Sequence, residues 1–210
     1  MGGDERLRLF LALRLPPDVL DDVQRWQREQ LHGHVEGGVR LVGREQLHVT
    51  LAFLGHRPAG EVDGIVGALR DAAAGAEEIR LTPLHYRETR SVGMLVLDDE
   101  AGRAGALAGD LHVRLERLGV YKRERRAWLP HLTVARWNAR RLDGARQGAE
   151  TSALPASERG HRQPRLRPEH PPLRTFVPSD AAAYLSQLRP GGAEYRVLAS
   201  GALGTRVGGE

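Results

Sequence analysis

Two short stretches carry the residues best suited to chemistry: His48-Val49-Thr50 within QLHVTLAFLG and His131-Leu132-Thr133 within PHLTVARW. Residues i and i+2 of an extended chain share a face, so each stretch presents an imidazole and a hydroxyl together. A single strand histidine is ordinarily a structural or solvated residue. Here, however, both motifs continue with an apolar residue and an alanine (Leu51-Ala52 and Val134-Ala135), and they stand 83 positions apart, which points to an internal duplication. Two facing imidazoles, each titrating near pH ~6.5 when unperturbed, divide acid–base work. One takes a proton from water and the other gives one to a leaving oxygen, each role supplying about 10²–10⁴ in rate. The threonine hydroxyls donate to non-bridging oxygens of a tetrahedral phosphate. Two histidines and two hydroxyls in twofold arrangement match a phosphodiester, and such a site needs neither a metal nor a covalent intermediate.

The elements that must hold these residues follow from periodicity. Residues 6–15 alternate, with Leu7, Leu9, Leu11, Leu13 and Leu15 on one side and Arg6, Arg8 and Arg14 on the other, which predicts a half-buried strand ended by Pro16 and Pro17. A helix starts near Asp18 and carries Val19, Leu20, Val23 and Trp26. A strand near 39–42 and the first motif strand follow, the latter with Leu47, Val49, Leu51 and Phe53 on its apolar face and His48, Thr50 and Ala52 on the other. Val62, Ile65, Val66 and Leu69 have helical spacing. Strands are expected at 79–87 and 92–98, then a helix over about 102–118 with Leu107, Leu111, Leu115 and Leu118 inside. The second motif strand comes next, and segments at 175–188 and 194–203 close the chain as two strands. Helices and strand pairs thus alternate twice, once around each motif. The expected fold is α+β, with two pseudo-symmetric lobes, each an antiparallel sheet with outer helices, and an active cleft between them. Residues 1–210 are read as a single bilobal domain, with 140–174 as an Arg/Pro-rich mobile loop.

Composition narrows the classes. The chain has no cysteine, which excludes disulfides, thiolate nucleophiles and cysteine-based metal sites. No carboxylate shares the motif faces, so His48 and His131 lack the partners of a closed metal-ligand set. The opening MGGDERLRLFLALRLPP reads as a strand rather than a signal peptide, and no stretch is long enough for a membrane span; a cytoplasmic protein is expected. Charge is uneven: Lys122 to Arg174 carries thirteen basic and five acidic residues, a net +8, against −4 for the remainder. Nearly all the basic residues are arginine, whose planar fork suits phosphate oxygens; a solvated arginine-rich surface is the plainer reading. Arg125 and Arg126 fit that surface. Trp128 and Trp137 flank the second motif and fit core packing better than base stacking. His32, His34, His56, His85, His112, His161 and His170 have no partner motif and are read as surface or loop residues.

HVTLAFLG and HLTVAR, together with the opening RLFLALRLPPDVLDDV and the closing YLSQLRPGGAEYRVLASGAL, resemble the two-histidine (2H) phosphoesterase superfamily. The similarity is to its branch of RNA 2′,3′-cyclic phosphodiesterases, also described as 2′–5′ RNA ligases. The resemblance implies a two-lobed fold and metal-independent hydrolysis of a terminal 2′,3′-cyclic phosphate to a 2′-phosphate, without a cofactor. It makes His48 and His131 the catalytic pair, with His48 the acid at the 3′-oxygen and His131 the base, and Thr50 and Thr133 the phosphate-binding hydroxyls. The implied partners are RNA ends bearing the cyclic phosphate, tRNA fragments among them, or small cyclic nucleotides. Ligation in the same site, or RNA-end binding without catalysis, are the alternatives. A self-contained cleft is expected to work as a monomer.

Arg136 resembles the arginine that ends the second motif in the family and is a third phosphate-binding candidate. Strict alternation turns it away from His131, so only a bulge or a strand end brings it to phosphate. Ala52 and Leu129 occupy positions where that branch often carries a basic residue.

Overall fold

The computed structural model describes residues 5–31, 39–137, 168, 174–189 and 192–204. The elements run β1 (Arg6–Arg14), α1 (Pro17–Leu31), β2 (Val39–Leu41), β3 (Val49–Pro58), α2 (Val62–Ala74), β4 (Leu81–Glu88), β5 (Val92–Asp99), α3 (Arg103–Arg117), β6 (His131–Trp137), β7 (Asp180–Arg189) and β8 (Gly192–Gly201). The 140–174 segment lies outside the described residues except for Pro168 and Arg174.

All eight strands among the described residues belong to one antiparallel sheet in the order β4-β5-β6-β3-β1-β7-β8, with β2 added on β6. The sheet has two halves, β8-β7-β1-β3 and β2/β6-β5-β4, and each half holds one of the motif strands. They join where β3 meets β6, through the single register pair Val49↔Leu132. The fold is thus mixed helix and antiparallel sheet, with the two halves the duplicated motifs imply.

Pro17 is the first residue of α1, where its fixed φ suits a helix start and its missing N–H costs nothing. The helix buries Val19, Val23, Trp26, Gln27 and Leu31. α2 packs on β7 and β8 and buries Ile65, Leu69, Ala72 and Ala73, and α3 lies on β3 and β5. These residues share one large core with Leu9, Leu11 and Leu13 of β1, and with Val49 and Leu132 at the seam.

Four expectations are corrected. β1 is buried on both faces: Phe10 and Ala12 form a second cluster with Ala182 and Tyr184, because β1 is central and its other face lines the cleft. Phe53 does not share the face of Val49 and Leu51. β1 pairs Leu11 with Ala52 and Ala12 with Thr50, so Leu51 is an extra residue, a β-bulge. Leu51 and Ala52 therefore both point into the core, and Phe53 is 52% exposed on the cleft side. Leu118 follows the last residue of α3 and is exposed. Lastly, His112 is no surface histidine. It is buried on the inner stripe of α3, with its ring nitrogen Nε2 2.8 Å from the Leu51 carbonyl.

Candidate active site

The seam pair Val49↔Leu132 sets the geometry of the motifs. Extending this antiparallel register by one residue in each direction puts His48 across from Thr133 and Thr50 across from His131. Residues directly opposite on an antiparallel pair have Cβ atoms roughly 4.5–5.5 Å apart. Val49 and Leu132 are fully buried on the core side, so the two histidines and two threonines lie together on the cleft side, all four half-buried.

The two imidazoles are held alike. His48 Nδ1 lies 2.7 Å from the Gln46 carbonyl, and His131 Nδ1 lies 2.8 Å from the Leu129 carbonyl. A carbonyl only accepts, so Nδ1 carries the hydrogen and donates in each ring. Nε2 is then the ring nitrogen left for proton exchange on both. His48 also lies against aromatic rings: Phe10 at 4.7 Å between centroids, Tyr195 at 5.5 Å and Tyr184 at 6.0 Å. Burial among them lowers the His48 pKa to about 4; the Gln46 carbonyl opposes the shift, while the nearby charges of Arg136 and His131 add to it.

Arg136 reaches this face by the route strict alternation denied it. β5 pairs Gly93 with Ala135 and Met94 with Thr133, leaving Val134 as an extra residue. This bulge sends both Val134 and Ala135 into the core and turns exposed Arg136 to the cleft. It is the counterpart of the bulge at Leu51, and Phe53 and Arg136 occupy equivalent places, each five residues after its motif histidine. The Ala52 departure therefore removes nothing from the cleft, since residue 52 faces the core.

Each bulge is braced by a helix. Gln27 of α1 donates from Nε2 to the carbonyls of Val134 (2.7 Å) and Val42 (3.0 Å). His112 of α3 donates from Nε2 to the Leu51 carbonyl, and Trp128 Nε1 donates to the Thr50 carbonyl at 3.0 Å. Trp128 and Trp137 thus serve packing, and Trp137 is buried with its Nε1 on the Arg90 carbonyl.

A cavity of about 320 Å³ opens beside His48, Thr133 and Arg136, and is also lined by Arg8, Arg40, Gln46, Arg189, Gly192 and Tyr195. His131 and Thr50 are not among its lining residues and stand at the seam beside it. Periodicity had placed Arg8 on the polar side of β1 without giving it a use, while Arg40 and Arg189 carried no local signal. The basic stretch after Lys122 contributes only Arg136 to this cavity among the described residues. Arg123 and Arg126 pair with Glu116 and Glu124, and Arg174 with Asp18. Among the described residues no group of three His, Cys, Asp or Glu is placed to hold a metal ion. No described helix is long and apolar enough to cross a membrane.

A His-x-Thr strand on each side of the seam is the arrangement that the resemblance to the two-histidine phosphoesterases implies. Residues 13–91 match the profile of the family described as LigT like Phosphoesterase. It is 28% identical over 179 residues to the RNA 2′,3′-cyclic phosphodiesterase of Methanothermobacter thermautotrophicus, covering 79% of this chain and 94% of that one. The enzyme of the same name from Methanocaldococcus jannaschii is 24% identical over 131 residues, 62% of this chain and 71% of that one. Among solved structures, E. coli LigT in its apo form superposes with a TM-score of 0.67 at 22% identity, over 96% of this chain and all of that one; LigT has also been solved with 3′-AMP.

Proposed function

We propose that this protein hydrolyses 2′,3′-cyclic phosphate ends of RNA to 2′-phosphates by metal-independent acid–base catalysis. The observation that carries this reading is the seam register, which groups two histidines and two threonines on one face. The activity named for the two archaeal relatives supports it. The two threonine hydroxyls and the Arg136 guanidinium hold the non-bridging oxygens. One histidine takes a proton from water as the water oxygen bonds to phosphorus; the P–O3′ bond breaks, and the other histidine protonates O3′. The products are a 2′-phosphate and a free 3′-hydroxyl.

The direction of proton transfer departs from what the resemblance implies. With its pKa lowered to about 4, His48 is neutral at pH 7 in the free protein, with Nε2 open as an acceptor. We therefore assign His48 as the base and His131 as the acid.

The deciding assay incubates the protein with an oligoribonucleotide ending in 2′,3′-cyclic phosphate in EDTA and resolves the product isomers. A 2′-phosphate product is expected. Activity that vanishes with EDTA and returns with zinc or magnesium would overturn the metal-independent mechanism, and a 3′-phosphate product would overturn the choice of leaving oxygen.

A further inference from the structure

The cavity beside His48 holds more positive charge than a cyclic phosphate needs. That ligand carries one negative charge, and Arg136 with the two threonine hydroxyls already meets it. Yet the same cavity is lined by Arg8, Arg40 and Arg189 as well, and no carboxylate lines it. The four guanidiniums come from β1, β2, β6 and β7, so the fold gathers them from points far apart in the chain.

Two details show that this gathering is built in. Arg40 and Arg136 are direct cross-strand partners on β2 and β6. Like charges placed opposite each other weaken a sheet, yet both guanidiniums open onto the same cavity. Arg40 also spans the cleft: its guanidinium packs on Gly192, at the start of β8 in the other half of the sheet, in the space a Cβ there would take. The remaining two are anchored in position. Arg8 donates to Ser186 Oγ at 2.5 Å and lies 4.8 Å over the Phe53 ring, while Arg189 meets Glu194 at 3.4 Å at the exposed end.

We propose that this cavity is a subsite for a second phosphate, held by Arg40, Arg189 and Arg8. The substrate it is built for then carries a phosphate on the 5′ side of the cyclic end, one ribose away. The location of the cyclic end rests on the function proposed above, whereas the subsite itself can be measured without catalysis.

Calorimetry with adenosine 2′-monophosphate and adenosine 2′,5′-bisphosphate tests it. The bisphosphate should bind at least about tenfold more tightly at low salt, equivalent to about 1.4 kcal/mol. Arg40→Gln and Arg189→Gln should cut that preference to about threefold or less, since each removes a forked contact to phosphate. Arg25→Gln removes the same charge from the outer face of α1, where Arg25 pairs with Asp22, and should leave the preference intact. Equal affinity for the two ligands, or an equal loss of preference in Arg25→Gln, overturns the subsite.

Turnover then identifies the source of the phosphate. Adenosine 2′,3′-cyclic phosphate is compared with its 5′-phosphorylated form and with the dinucleotide ApA ending in cyclic phosphate. A lower KM for both larger substrates, or for the 5′-phosphorylated one alone, supports the subsite. A gain for the dinucleotide alone shows that the added nucleoside is being read, and overturns it. Absence of hydrolysis with the bisphosphate preference intact defeats the proposed reaction and leaves the subsite standing. Hydrolysis without the preference does the reverse.

Discussion

His48 and His131 share a sequence motif, a backbone anchor and a free Nε2, yet the aromatic wall of Phe10, Tyr184 and Tyr195 touches only His48. Its depressed pKa has a kinetic consequence whose sign is fixed by the role assigned. As a base, His48 must be unprotonated, so the acidic limb of the kcat/KM profile should climb as pH rises through about 4. As an acid, it would instead lose activity above that pH. Phe10→Ala opens the wall to water, and the limb should move up toward the ordinary value of about 6.5. A pH profile of kcat/KM for both proteins checks this; a limb that does not move in Phe10→Ala would mean that the wall does not set the pKa. His48→Ala and His131→Ala should each lower kcat by about 10²–10⁴, and the double variant should lose less than the product because the two act as one unit. Thr50→Val and Thr133→Val should lose on the order of tenfold, the worth of a hydrogen bond to a charged oxygen. Near-full turnover in either histidine variant would end the paired acid–base reading.

At the scale of elements, the bulges at Leu51 and Val134 decide what the motif strands show to the cleft. Because helix side chains hold them, they can be tested away from the phosphate. His112→Leu strands the Leu51 carbonyl in the core and should cost about 1–3 kcal/mol, read by urea unfolding. His112→Gln installs the side chain that Gln27 uses at the other bulge and should recover most of that loss. If bracing also sets the angle of the motif strand, kcat should fall in His112→Leu and return in His112→Gln beyond what the folded fraction explains. Equal stability and turnover in the two variants would reduce His112 to a space filler. These bulges also mark where the sequence was and was not legible. The histidines and threonines could be read because they recur in one local frame, and local periodicity found the helices and strands to within a few residues. A bulge adds one residue to one strand of a pair, and its cause lies in a partner far along the chain. Alternation therefore misplaced Phe53 and Ala52 and could offer Arg136 only on condition. His112 was readable in principle, four residues after Ala108 on the buried stripe of α3. The arginine cavity was not, since its members meet only once β1, β2, β6 and β7 are assembled.

For the molecule as a whole, the halves of the sheet are not halves of the chain. α1 precedes the first motif but braces β6, and α3 precedes the second motif but braces β3. Such an interleaved chain should unfold as one unit. Trp26 and Trp137 lie on the β2/β4–β6 side and Trp128 bonds the Thr50 carbonyl of β3 at the seam, so fluorescence weights that half and the seam, while far-UV circular dichroism follows the whole. The two should report the same midpoint in denaturant, and separated midpoints would show halves that melt independently. β1 pairs with a strand far along the chain: Arg14 meets Asp180, 166 residues further on. At about 5–20 residues added per second during synthesis, β1 waits roughly 10–30 s for β7 to emerge. Throughout that interval the edge of β1 that will receive β7 is an unpaired template, open to any strand that arrives first. A nascent chain stalled before Asp180 is therefore an aggregation seed, and the time spent translating the segment ahead of β7 bears on how much protein survives to fold.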